Sequence, residues 1–164
     1  MPNDKPLSEL PYRPCAGIVL FNDLGQVFVG RRLDTYQDAW QLPQGGIDEG
    51  EEPQDAAVRE LEEEIGTAKA EIIGEAEDWL SYDLPPDLLG KVWNGRYRGQ
   101  TQKWFAMRFL GDDSEINPSA VKTPEFGSWK WAELTELPEM AVTFKKSIYQ
   151  TLVSEFSRFA KATR

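Results

Sequence analysis

Three glutamates, Glu60, Glu63 and Glu64, stand at i, i+3 and i+4 in the stretch GGIDEGEEPQDAAVRELEEEIGT, Gly45 to Thr67. On a helix this spacing places three carboxylates on one face. Like charges so placed destabilise a bare helix by about 0.2–0.5 kcal/mol per pair, so a compensating charge is expected. A hard divalent cation with all-oxygen ligands, Mg²⁺ before others, is one candidate. Arg59 reaches Glu63 along the helix, and the glycines before Pro53 let the backbone approach whatever the carboxylates hold. The competing reading is a solvated acidic face. The chain has no His and one Cys, Cys15. Cys15 sits in the apolar run PCAGIVLF with no His to act as its base, which argues against a nucleophile. Zinc sites and disulfides are excluded. Any acid, base or metal ligand must therefore be a carboxylate, Lys, Tyr or Arg.

The elements that position these residues follow from local pattern. Pro53 to Ile65 reads as a helix with Ala57, Val58, Leu61 and Ile65 on its apolar stripe, Pro53 in the first turn and Gly66 as C-terminal cap. CAGIVLF and QVFVGRR flank NDLG and read as a hairpin. AWQLPQGG is a short extended segment ending in a glycine loop. AEIIGEA and DWLSYDL read as strands, QTQKWFAMRFL as a long strand and GSWKWAEL as a short one. PPDLLGKVWNGRYRG and GDDSEINPSAVKTPEF read as loops. Lys145 to Lys161 is a C-terminal helix with Ile148, Leu152, Phe156 and Phe159 facing inward, and Trp104, Trp129 and Trp131 are assigned to the core. The class is α/β, a sandwich with a central mixed sheet between helices.

At 164 residues, 40% hydrophobic, the chain is long enough for one buried core and is expected to form a single domain over 1–164, with residues 1–11 as a flexible leader. No run suits a membrane span, and MPNDKPLSEL lacks the regions of a signal peptide, so a cytoplasmic protein is expected. The formal net charge of −10 runs against a polyanionic partner unless metal ions intervene.

Gly45, five residues, Glu51, seven residues, then Arg59-Glu60-Leu61-Glu62-Glu63-Glu64-Ile65-Gly66 resembles the Nudix box, G-x5-E-x7-R-E-U-x-E-E-x-G-U with U apolar. Thr67, at the final apolar position, is the one departure. The resemblance implies a Nudix hydrolase of α/β/α sandwich fold, acting on phosphoanhydride bonds. It implies that Glu60, Glu63 and Glu64 bind Mg²⁺, with Mn²⁺ or another divalent cation as substitute. Gly45 then shapes the loop, Arg59 and Glu51 brace it, and Gly66 closes the helix.

Beyond the box, YRPCAGIVLFN, WQLPQGGIDEGE, QTQKWFAMRF, EIN, TPEFGSWKW and VTFKKSIY resemble the bacterial RNA pyrophosphohydrolase group and the closely similar dinucleoside polyphosphate hydrolases. This carries a metal or base role to Glu125, with Glu115 as a second candidate beside Glu64 for the base. It carries phosphate contacts to Arg13, Arg32, Tyr82 and Lys103, and base stacking to Phe144. Read from residue type alone, Arg13 and Arg32 are equally surface charges, Phe144 is core and Glu115 shapes a turn. KVWNGRYRGQ either grips an RNA chain or solubilises a loop.

The implied function is Mg²⁺-dependent removal of pyrophosphate from the 5'-end of triphosphorylated RNA, which starts RNA decay. The alternatives are hydrolysis of diadenosine tetraphosphate and related dinucleotides, and a non-catalytic nucleotide-binding sensor. Neither a membrane nor stable DNA binding is expected.

Overall fold

A computed structural model describes residues 9–32 and 39–162. Residues 1–8 of the expected leader lie outside them. The long strand β7 (Gly99–Phe109) is buried on both faces, with Trp104 and Ala106 on one side and Phe105, Met107 and Phe109 on the other. A strand enclosed on both sides belongs at the centre of a sheet. β7 pairs in parallel with β1 (Tyr12–Phe21) from Tyr12↔Gly99 to Phe21↔Arg108. Its other edge is shared, β5 (Ala70–Glu75) pairing antiparallel near Phe109 and β6 (Leu80–Asp83) near Gly99. The sheet is therefore mixed, as expected.

The expected hairpin of β1 and β2 (Val27–Arg32) is present only at its tip, where Phe21 faces Val27. Beyond it β2 leaves β1 and pairs with β3 (Trp40–Gln41) and β8 (Phe126–Ala132). The vacated edge of β1 is taken by β4 (Gln44–Gly46), through Cys15↔Gly46, Ala16↔Gly45 and Gly17↔Gln44. This is the step that brings the glycine loop into the site.

Helix α1 spans Pro53–Ile65, with Pro at its first position and Gly66 left-handed at φ 91° as cap. Its inner face is Ala56, Ala57, Leu61 and Ile65, each at most 1% exposed, packed on Ile18, Leu20, Phe105 and Met107. Val58, expected on that stripe, is 38% exposed, and Glu64 at 3% takes a buried place instead. The opposite face of the sheet is covered by a short α2 (Leu137–Met140) and by α3 (Lys146–Phe156), which buries Ile148, Tyr149, Leu152 and Phe156. Full burial of such side chains contributes about 1.5–3 kcal/mol each. α3 is shorter than the expected Lys145 to Lys161 and finishes in a 3₁₀ turn over Ser157–Phe159, with Phe159 half-buried against the core.

Trp104 is fully enclosed, while Trp129 and Trp131 are half-buried around Phe28, Trp129 stacked on it at 5.5 Å. Among the described residues no helix is long and apolar enough to cross a membrane.

Candidate active site

Arg59 organises the glycine loop against α1. Its guanidinium donates twice to Glu51, at 2.9 and 2.8 Å, and to the Gly46 carbonyl at 2.9 Å. The same group donates to Glu60 at 2.8 Å and to Glu63 at 3.3 Å. The paired guanidinium, with the Asp48 backbone N–H, holds the Glu51 carboxyl down to about 2. Gly45 stands where a Cβ would overlap the Glu60 carboxyl, which is a sharper reason for glycine than loop flexibility. Glu51, Arg59 and Gly45 thus meet where the glycine loop faces α1, and Gly66 stands at the end of that helix.

The three glutamates differ in environment. Glu63 is 57% exposed at its side chain and Glu60 12%, while Glu64 is buried among the apolar residues of α1. Burial raises Glu60, an effect opposed by Arg59. Burial pushes Glu64 well above the ordinary carboxylate range, and the nearby carboxyls of Glu125 and Glu60 add to it. Glu64 Oε2 accepts from the Gln44 backbone N–H at 3.1 Å, but Oε1 is buried with no partner. Among the described residues no three carboxylates converge on one point, because Arg59 ties up Glu60 and Glu63. Part of the charge compensation expected from a cation is thus supplied by a side chain. The buried, unpartnered Oε1 of Glu64, with the carboxyls of Glu125 and Glu60 near it, is nonetheless the kind of oxygen donor that a hard divalent cation would satisfy.

Glu60, Glu63 and Glu125 line two cavities at once. One, of about 920 Å³, follows the outer side of α1 towards Asn117 and Lys122. The other, of about 360 Å³, is also lined by Arg13, Arg32, Lys145 and Tyr82. Arg13 comes from β1 and packs over the Trp93 ring at 5.5 Å; Arg32 ends β2. Glu125 is held at the rim by Phe126, whose ring occupies the space a Cβ on Gly30 would need. Burial, with the Arg32 guanidinium, lowers Lys145 to about 8. The inner cavity therefore carries both signs of charge.

Three expected residues are not brought there. Lys103 donates to the Ala76 carbonyl at 2.6 Å and pairs with Glu75 at 3.4 Å. Strand alternation puts it on the side of β7 shared with Phe105 and Met107, away from Gln100, which does line the cavity. Phe144 packs on the Tyr82 ring at 5.4 Å, behind the cavity wall, in its core reading. Glu115 pairs with Lys69 at 2.7 Å and accepts from the Asp112 N–H at 3.2 Å, so it shapes a turn.

Of the 91–98 loop only Trp93 lines the cavity, and Arg98 pairs with Asp83 at 2.8 Å. Trp93 and Asn94 have positive φ, 53° and 57°, a conformation that folds the indole back to Arg13. Cys15 is fully buried and its thiol is pushed up to about 11, which removes it as a nucleophile. The sequence reading missed Gln44, Gln100 and Lys145. Only the adjacency of Lys145 to Phe144 hinted at it.

The chain is similar to several bacterial proteins over nearly its whole length. It is 54% identical over 151 residues to an RNA pyrophosphohydrolase of Rhodospirillum rubrum, covering 92% of this chain and 90% of that one. It is 46% identical over 155 residues to an RNA pyrophosphohydrolase of Wolbachia pipientis, covering 94% and 95%. Among solved structures, a C. elegans Ap4A hydrolase binary complex matches with a TM-score of 0.63 at 19% identity, covering 89% of this chain and 98% of that one. The E. coli dihydroneopterin triphosphate pyrophosphohydrolase matches at 0.64 and 20% identity, covering 88% and 98%. These two share the fold. The family model described as the NUDIX domain matches residues 11–152, the span that carries every strand and all but the last turn of α3, and the chain belongs to the Nudix family.

Proposed function

We propose that this protein is an Mg²⁺-dependent hydrolase that removes pyrophosphate from the 5'-end of triphosphorylated RNA in the cytoplasm, opening transcripts to decay. The observation that carries the reading is the inner cavity, where Glu60, Glu63 and Glu125 meet Arg13, Arg32 and Lys145. An acidic wall suits divalent cations, and a basic one suits the phosphate oxygens that those cations leave uncovered. Similarity to proteins named RNA pyrophosphohydrolase supports RNA as the substrate.

When bound, the metal neutralises phosphate charge and lowers the pKa of a water at the carboxylates. Glu60, Glu63, Glu64 and Glu125 would hold it. The chain's own part is to place the phosphate oxygens by Arg13, Arg32 and Lys145, with Tyr82 walling the cavity between them. Water adds to a phosphorus, the anhydride P–O bond breaks, and the water proton passes to Glu64 or Glu125.

The test gives purified protein and Mg²⁺ equal amounts of 5'-triphosphorylated RNA and diadenosine tetraphosphate and compares kcat/KM. The larger value is expected for RNA. A larger value for the dinucleotide overturns the substrate, and binding of either without turnover identifies a sensor.

A further inference from the structure

A chain of side-chain hydrogen bonds runs along one face of β7 into the inner cavity. Trp104 Nε1 donates to Gln102 Oε1 at 3.0 Å, and Gln102 Nε2 donates to Gln100 Oε1 at 2.8 Å. Both glutamines are 2% exposed and Trp104 is 1% exposed. Trp104 cannot shift easily, since its ring fills the space a Cβ on Gly17 would take and meets Tyr149 edge-on at 6.3 Å.

The donor character of indole sets the sense of the whole chain. An indole N–H only donates, so Gln102 must turn its oxygen towards Trp104. Its NH₂ then points at Gln100 and can be met only by the Gln100 oxygen. What remains at the cavity end is the Gln100 NH₂. Among the described residues no acceptor takes its hydrogens, and it is not among the sealed, unpartnered polar atoms. Gln100 lines the same cavity as Arg13, Arg32 and Lys145.

We propose that Trp104, acting through Gln102, fixes Gln100 as a neutral amide donor to a non-bridging phosphate oxygen of the substrate. This rests on the reading of the cavity as a polyphosphate site. Gln102 and Trp104 are positioning residues. Before the phosphate binds, an unrestrained amide would turn its oxygen towards the cavity as readily as its NH₂, whereas this one is already oriented to donate, with no reorganisation on binding.

The test is a double-variant cycle on the Mg²⁺-loaded enzyme with 5'-triphosphorylated RNA. Gln100→Leu removes the donor and raises KM about 10-fold, with kcat changed less than about two-fold. Gln102→Glu still accepts from Trp104 but cannot donate, so Gln100 turns its NH₂ inward and offers oxygen to the phosphate. KM again rises about 10-fold. In the Gln100→Leu background the same Gln102→Glu change adds nothing further, because Gln102 acts only through Gln100.

Multiplying effects in the double variant overturn the relay and indicate direct repulsion by the new carboxylate. An unchanged KM in Gln100→Leu overturns the donor. Should Gln102→Glu not fold, the neutral Gln102→Met raises KM about two-fold by releasing the amide to both orientations, with the same non-additivity. A KM equal to that of the wild type sinks the proposal. A readout independent of turnover is the Gln100 side-chain NH₂ resonance, which shifts when inorganic triphosphate is added to the wild type and not to Gln102→Glu. A wild type that cleaves diadenosine tetraphosphate but not RNA overturns the substrate reading alone, and the same cycle on the dinucleotide still decides the amide.

Discussion

Gly45 and Glu51 show how far single positions constrain the site. Gly45 is excluded from being anything larger by the Glu60 carboxyl beside it. Gly45→Ala must push β4 and α1 apart or move Glu60, and overpacking of this kind costs about 1–3 kcal/mol. Urea unfolding should report that loss, together with at least a 10-fold fall in kcat on triphosphorylated RNA. Full retention of both would mean that Glu60 has another place to go. Glu51 is a pH-dependent brace. Its carboxyl is held down to about 2 by Arg59, so its stabilising contribution is complete above the ordinary carboxylate value of about 4.3. That contribution drains away as pH falls from there towards 2. Glu51→Gln carries no such titration, so the gap in urea midpoint between wild type and variant should be widest above about pH 5 and narrow towards pH 3. A gap constant over that range would show that Arg59 reads shape there and not charge.

At the scale of elements, what was legible was what local chemistry decides. Pro53 and Gly66 bound α1 at the expected residues because one fits the first turn and the other the left-handed cap. A Cβ at Gly66 would also come within 3.2 Å of the Asn117 carbonyl. Gly66→Ala should therefore lower stability by about 1–2 kcal/mol, readable as a urea midpoint shift without a change in m-value. What stayed hidden was decided by partners distant in sequence. The hairpin of β1 and β2 opens because β4 claims one edge of β1, a contact that no turn signature encodes. Lys103 looked like a phosphate ligand by type, but strand alternation commits it to the side away from Gln100. Gln100 and Lys145 were invisible for the converse reason. A glutamine on an apolar strand and a lysine before a helix gain meaning only when β1, β2, β4 and α1 close one cavity around them. Glu64 was legible as an acid but not as a buried one, since helical spacing allowed it a solvent-facing place.

For the molecule as a whole, a net charge of −10 and a buried glutamate with an unpartnered oxygen are features whose cost a bound cation would relieve. A cation that binds only the folded chain stabilises it by mass action, about 2.7 kcal/mol at one hundred times Kd. In a domain of this length that corresponds to a rise in Tm of about 5–10 °C. Melting curves with Mg²⁺ should show the rise, while NaCl at matched ionic strength should not, because screening relieves surface repulsion without reaching a buried carboxyl. Glu64→Gln separates the two effects further. It removes the charge whose burial is costly, so the metal-free variant should melt above the metal-free wild type. It also removes a ligand, so the Mg²⁺-dependent rise should shrink or vanish. If the variant instead keeps the full rise, the cation is held elsewhere on the acidic surface and Glu64 is a strained core residue only. If the wild type shows no rise while cleaving RNA, the metal is carried into the site by the polyphosphate, and the carboxylates complete its coordination only once substrate is bound.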